Sequence, residues 1–158
     1  MGQPRPAGAK VFRLTQIDFY THVDDKLQTA CRLAAKAARQ GTRIMILTPD
    51  ADTTERLDRL LWTSPATGFL PHCRSGDDLA PRTPVIVDHL SELFVHDDLL
   101  INLHRDWPPF FSRFRRLVEI VAREDEDREQ GRIRYRFYRD RGYEIRHHDM
   151  SGERSNAG

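Results

Sequence analysis

Four short apolar runs constrain the fold of this 158-residue chain more than any other feature. They are Ile44-Met45-Ile46-Leu47, the PVIVD segment at 84–88, the LLINL segment at 99–103 and the run Leu117–Val121. Each is short for a helix and too apolar for a strand with one wet face, so they read as strands covered on both sides, as in parallel sheets. The segments between them have helical spacing. Leu27, Ala30, Cys31, Ala34, Ala37 and Ala38 recur with helical period behind a cap at Asp24 or Asp25 and stop at Gly41. Asp50 or Asp52 caps a second helix with Leu57, Leu60 and Leu61 on its inner side. Pro108-Pro109 opens a short helix carrying Phe110, Phe111 and Phe114, and Glu124 to Arg141 forms a long last helix stopped by Gly142. Val11–Thr15 reads as the first strand and Tyr143–Ile145 as an edge strand. This alternation predicts an α/β fold, a Rossmann-like open, mostly parallel sheet flanked by helices, with right-handed early crossovers.

One domain over residues 10–150 is expected, with flexible tails at 1–9 and 151–158. Lysine and arginine number 25 against 24 acids, a net charge of +1, so there is no strong whole-molecule attraction for nucleic acid. Cys31 and Cys73 form no metal-type pair and read as reduced cysteines. No apolar run approaches the ~20 residues that span a bilayer. Met1–Lys10 lacks the apolar centre of a signal peptide. A cytoplasmic protein is expected.

The fold class invites a nucleotide- or phosphate-binding enzyme on a Rossmann-like scaffold, and that is the alternative reading. Such a site needs glycines in the first strand–helix turn so that backbone can approach phosphate. The turn read here, LTQIDFYTHVDD at 14–25, has none, and no GxxxxGK[ST] motif exists. No cofactor or metal is therefore expected. His147-His148-Asp149 resembles a metal cluster, but neighbours on a strand point to opposite faces, so a solvated pair near a mobile end is the better reading. His72 reads as a loop hydrogen-bonding residue and Asp97-Asp98 as a turn pair. The connection from Thr63 to Pro84 is long and irregular. Trp62, Pro65, Phe69, Leu70 and Pro71 at its start either fold back on the core or expose an apolar surface for a partner; composition leaves both open. The aromatics from Trp107 to Phe111 read as core.

The last helix carries the most distinctive chemistry. Glu124-Asp125-Glu126-Asp127 precede six arginines between Arg128 and Arg141, an order that suits the helix dipole. Arg128, Arg132, Tyr135 and Arg139 follow i, i+4, i+7, i+11 and share a face, while Ile133 and Phe137 can dock the other face on the sheet. Two guanidinium groups beside an aromatic ring form a receptor for a peptide carboxylate with an apolar neighbour.

The motifs LDRLLW (57–62), GFLPH (68–72), DLLINL (98–103), PPFFSRF (108–114), VEIV (118–121) and RYRFYRDRGY (134–143) resemble, in order and spacing, the chi subunit of bacterial DNA polymerase III holoenzyme. The resemblance covers roughly Val11 to Asp149. It implies a non-catalytic accessory subunit of a DNA-directed DNA polymerase complex, acting in DNA replication as a monomer or heterodimer with weak or no direct DNA binding. It also implies two partners: the psi subunit, which tethers chi to the clamp loader, and the acidic C-terminal tail of single-stranded DNA-binding protein. The family's tail site falls on Val121, Arg128, Arg132 and Tyr135, and its psi-facing surface on Trp62, Pro65, Phe69, Leu70 and Pro71.

Overall fold

A computed structural model describes residues 14–64, 68, 70–90 and 94–152. The chain runs through β1 (Gln16–Val23), α1 (Lys26–Arg39), β2 (Ile44–Leu47), α2 (Ala51–Thr63), β3 (His72–Cys73), β4 (Val85–Asp88), β5 (Leu99–Asn102), β6 (Arg116–Ala122), α3 (Asp125–Asp140) and β7 (Ile145–Asp149). Single 3-10 turns lie at Ala80–Arg82 and Phe111–Arg113. The strands form one sheet in the order β3-β4-β2-β5-β6-β1-β7, every pairing parallel.

The apolar runs occupy the centre, as their composition requires. β2, β4 and β5 are buried at every residue. On one face α1 lays Ala30, Ala34 and Ala37 close against Ile44, Ile46 and Val118, and α2 adds Leu57 and Leu61. On the other face Ile17, Phe19, Leu117 and Val121 meet Phe111, Phe114 and Tyr138. β6 alternates between these cores, with Leu117, Glu119 and Val121 on the α3 side. Asp25 and Asp50 are the caps, each accepting from the backbone N–H three residues on, of Gln28 at 3.1 Å and Thr53 at 2.7 Å. The two helix N-termini thus take their own carboxylates. Gly41 and Gly142 adopt positive φ just past the ends of α1 and α3.

The first strand lies further along than its sequence suggests. Leu14 and Thr15 precede it, residues 11–13 fall outside the described residues, and QIDFYTHV, read as a turn, is the strand itself. The cause is Asp18. It breaks the apolar pattern yet is 1% exposed, because Arg116, Arg146 and His148 all reach its carboxylate. β7 likewise extends through His147-His148-Asp149, which form an ordered edge strand on β1 rather than a mobile end. The short helix expected after Pro108-Pro109 is a 3-10 turn, and the long connection after Thr63 contains β3. Asp98 accepts from the backbone N–H of Arg43 at 3.0 Å, a structural role.

One buried cluster fixes α3. Glu119, wholly buried on β6, accepts from Arg134 Nε at 2.8 Å, Tyr138 Oη at 2.7 Å and Asn102 Nδ2 at 3.1 Å. Arg134 Nη1 also donates to the Arg105 carbonyl at 2.7 Å. Burial pushes the Glu119 carboxyl up from its ordinary range, and Arg134 with the other donors pulls it back. Burial, then the charge of Glu119, pushes the Tyr138 phenol up, so it stays protonated and donates. This cluster overturns the expected docking of Ile133, which is 39% exposed. Gly131, Arg134 and Tyr138 face the sheet instead, because Glu119 beneath them needs a cation. Arg134→Ala leaves that carboxylate unpaired and should cost about 3–5 kcal/mol. Urea unfolding measures this, and a midpoint like wild type would remove the cluster from the account of stability.

Candidate functional site

α3 begins where β6 ends, and the acidic run there has a specific task. Asp127 Oδ2 accepts the Ala122 backbone N–H at 2.7 Å, and its Oδ1 lies 3.1 Å from Lys26 Nζ of α1. The first turn is thus tied to strand and helix before the arginines begin. One turn on, Gly131 faces Val121. A Cβ there would lie 2.8 Å from Val121 Cγ2 and 3.0 Å from Cγ1, so only glycine permits this approach. A glycine within a helix costs about 1 kcal/mol relative to alanine. The close packing gains a Val121 side chain at the foot of the helix.

A cavity of about 210 Å³ opens there. Val121 and Phe19 supply its apolar base; Arg128, Gly131, Arg132 and Tyr135 form the helix wall, and Thr21, His22 and His147 the strand wall. Tyr135 is fixed edge-on to Phe19 at 5.3 Å between ring centroids. Arg128 pairs with Asp125 at 3.3 Å and Arg132 with Glu129 at 2.9 Å, each within its own helix. Exposed pairs of this kind contribute little, so an incoming carboxylate can exchange with them. An apolar base, an aromatic ring and two guanidinium groups suit a terminal carboxylate whose own side chain is apolar.

The structure therefore brings Val121, Arg128, Arg132 and Tyr135 together around one cavity. Arg139, on the same helical row, pairs with Asp140 and does not line it. Phe19, Thr21, His22, Gly131 and His147 were not singled out for the site by sequence. A readable signal existed only for Gly131, a helix-interior glycine three residues after Arg128 and four before Tyr135. Among the described residues, no group of three or more His, Cys, Asp and Glu is placed to hold a metal ion.

The second region lies at the far edge of the sheet. Trp62 at the end of α2 is 60% exposed, its ring 4.8 Å from that of His72. His72 Nδ1 lies 2.8 Å from the Leu70 carbonyl and its Nε2 lies 3.1 Å from Asp58. Leu70 is buried and anchors the segment in the core, and Pro71 is exposed. Pro65 and Phe69 lie outside the described residues. Trp107, expected in the core, is half-buried and stacks on Phe137 at 3.7 Å.

Gly131→Ala should force the helix or Val121 to move, at a net cost of about 1–2 kcal/mol after the helix-propensity gain. Urea unfolding and the Val121 methyl resonances report this together. An unchanged midpoint with unmoved methyls would mean that α3 does not rest on the strand at this point.

The family profile described as DNA polymerase III chi subunit, HolC, matches residues 14–146. A protein named DNA polymerase III subunit chi from Pseudomonas aeruginosa is 36% identical over 141 residues, spanning 87% of this chain and 98% of that protein. Proteins of the same name from Escherichia coli K12 and Haemophilus influenzae are 33% and 30% identical over 119 residues each. Both alignments span 75% of this chain, with 81% and 83% of those relatives covered. A match over most of the chain, on the fold and segments described above, makes this protein a member of the DNA polymerase III chi subunit family.

Proposed function

We propose that this protein is a non-catalytic accessory subunit of DNA polymerase III that links the clamp loader, through psi, to the C-terminal tail of single-stranded DNA-binding protein. The observation that carries the tail half is the cavity over Val121, with Arg128, Arg132 and Tyr135 on its helix wall. In this reading the terminal Phe of the tail packs on Val121 and Tyr135. Its carboxylate and the preceding aspartates displace Asp125 and Glu129 from the two arginines. An exposed charge-assisted site of this size supports affinity on the order of 1 μM, weakened by salt. Several tails on one tetrameric partner raise the local concentration and compensate for weak single contacts. The psi half rests on Trp62, an exposed aromatic of the kind that anchors interfaces, with Pro65, Phe69, Leu70 and Pro71 as the adjoining segment.

Arg132→Ala or Arg128→Ala should weaken binding of a fluorescent acidic peptide ending in Pro-Phe by about tenfold without changing thermal unfolding. Removing the terminal Phe from the peptide should abolish binding. Retained affinity in either experiment places the tail elsewhere. Trp62→Ala should reduce co-purification with psi while peptide affinity stays at the wild-type value. Equal loss of both would trace to misfolding and withdraw the assignment of Trp62.

A further inference from the structure

The strand wall of the cavity is built from histidines that the tail reading leaves without a task. His147 Nε2 lies 2.6 Å from Thr21 Oγ1, and His22 Nδ1 lies 2.9 Å from Asp149 Oδ1. His22 has φ of 59° and is the one non-glycine residue with positive φ among those described. It sits where the register of β1 on β6 shifts, between Tyr20 and Val23. Along β1, Ile17 and Phe19 face α3 while Asp18 and Tyr20 face away, so an unbroken strand would send residue 22 away as well. The irregularity re-aims its ring onto the cavity beside Thr21. A backbone held in a sparsely populated region costs free energy and concentrates at functional sites.

Charge gives this wall its meaning. Asp149 is held below the usual carboxylate range, first by the Ser151 N–H and then by His22, so it stays ionised near neutrality. With both rings neutral the wall carries −1; with both protonated it carries +1 (−1 + 2). Across the cavity, Arg128 and Arg132 are each matched by Asp125 and Glu129, and Thr21 and Tyr135 are uncharged. The two imidazoles therefore decide whether the wall opposite the arginines repels or attracts an incoming carboxylate. Nδ1 of His22 faces a carboxylate and carries a proton, so Nε2 can donate to an anion only when the ring takes up a second proton.

Resting on the tail-peptide reading, we propose that His22 and His147 are recognition residues of the same site. They take the acidic side chains that precede the terminal apolar residue.

The test is fluorescence anisotropy of an acidic peptide ending in Pro-Phe from pH 8 to pH 5.5, with wild type, His22→Asn, His147→Gln and the double variant. Asparagine tolerates positive φ, and glutamine keeps a partner for Thr21. Peptide carboxylates and guanidinium groups stay charged throughout this window, so it reports imidazoles. Wild-type affinity should rise on the order of fivefold as pH falls. The double variant, and wild type with a peptide whose aspartates are asparagine, should give flat profiles. Imidazole resonances of His22 and His147 in the wild-type protein should shift on peptide addition, a readout independent of variant folding. A flat wild-type profile, an unchanged slope in the double variant, or unmoved resonances would overturn the proposal while leaving the tail reading intact. Wild-type protein that binds the peptide at no pH would overturn both.

Discussion

Glu119 is a carboxylate without access to water in a strand between two sheet neighbours, and the position of α3 follows from satisfying it. A buried charge left alone is untenable; one given a guanidinium and further donors is stable and geometrically demanding. Arg134 and Tyr138 meet that demand one turn apart, which fixes both the depth and the rotation of the helix. With Asp127, Gly131, Arg134 and Tyr138 turned to the sheet, the adjacent row of Arg128, Arg132 and Tyr135 is carried to the rim above Val121. The buried arginine therefore sets the direction of the two at the rim.

The two proposed surfaces are well separated. α2 and Trp62 belong to the face packed by α1, next to β3; α3 and its cavity belong to the opposite face, next to β7. β3 and β7 are the two edges of the sheet. A partner at one surface need not displace a partner at the other, which is the geometry a linking subunit requires. The sheet lies between them, with helices on both sides.

The apolar runs made the central strands legible because burial on both faces leaves no room for another pattern. Residues 44–47, 85–88 and 99–102 lie where the runs indicate. The helical row of Arg128, Arg132 and Tyr135 was equally readable, since spacing alone puts those residues on one side. What escaped were positions where a buried polar group imitates surface. Asp18 disguised β1 as a turn, although three basic side chains neutralise it inside the fold. Arg134 carries no sign of burial in the sequence, because its partner is fifteen residues away in another element. The strand wall was hidden for a related reason. His22 reaches the cavity only through the irregularity in β1, and no local pattern announces a register shift.

β1 is paired on both sides with the last strands of the chain, Gln16 beside Arg116 and Ile17 beside Ile145. During synthesis the first strand therefore emerges long before either neighbour exists. Contacts between such distant segments close large loops, and they form late and slowly. The cavity draws on β1, β6, α3 and β7, so every wall depends on that final closure. A nascent or partly folded chain presents no such cavity. The proposed tail site is thus complete only in molecules that have finished folding, and the topology acts as its own maturity check.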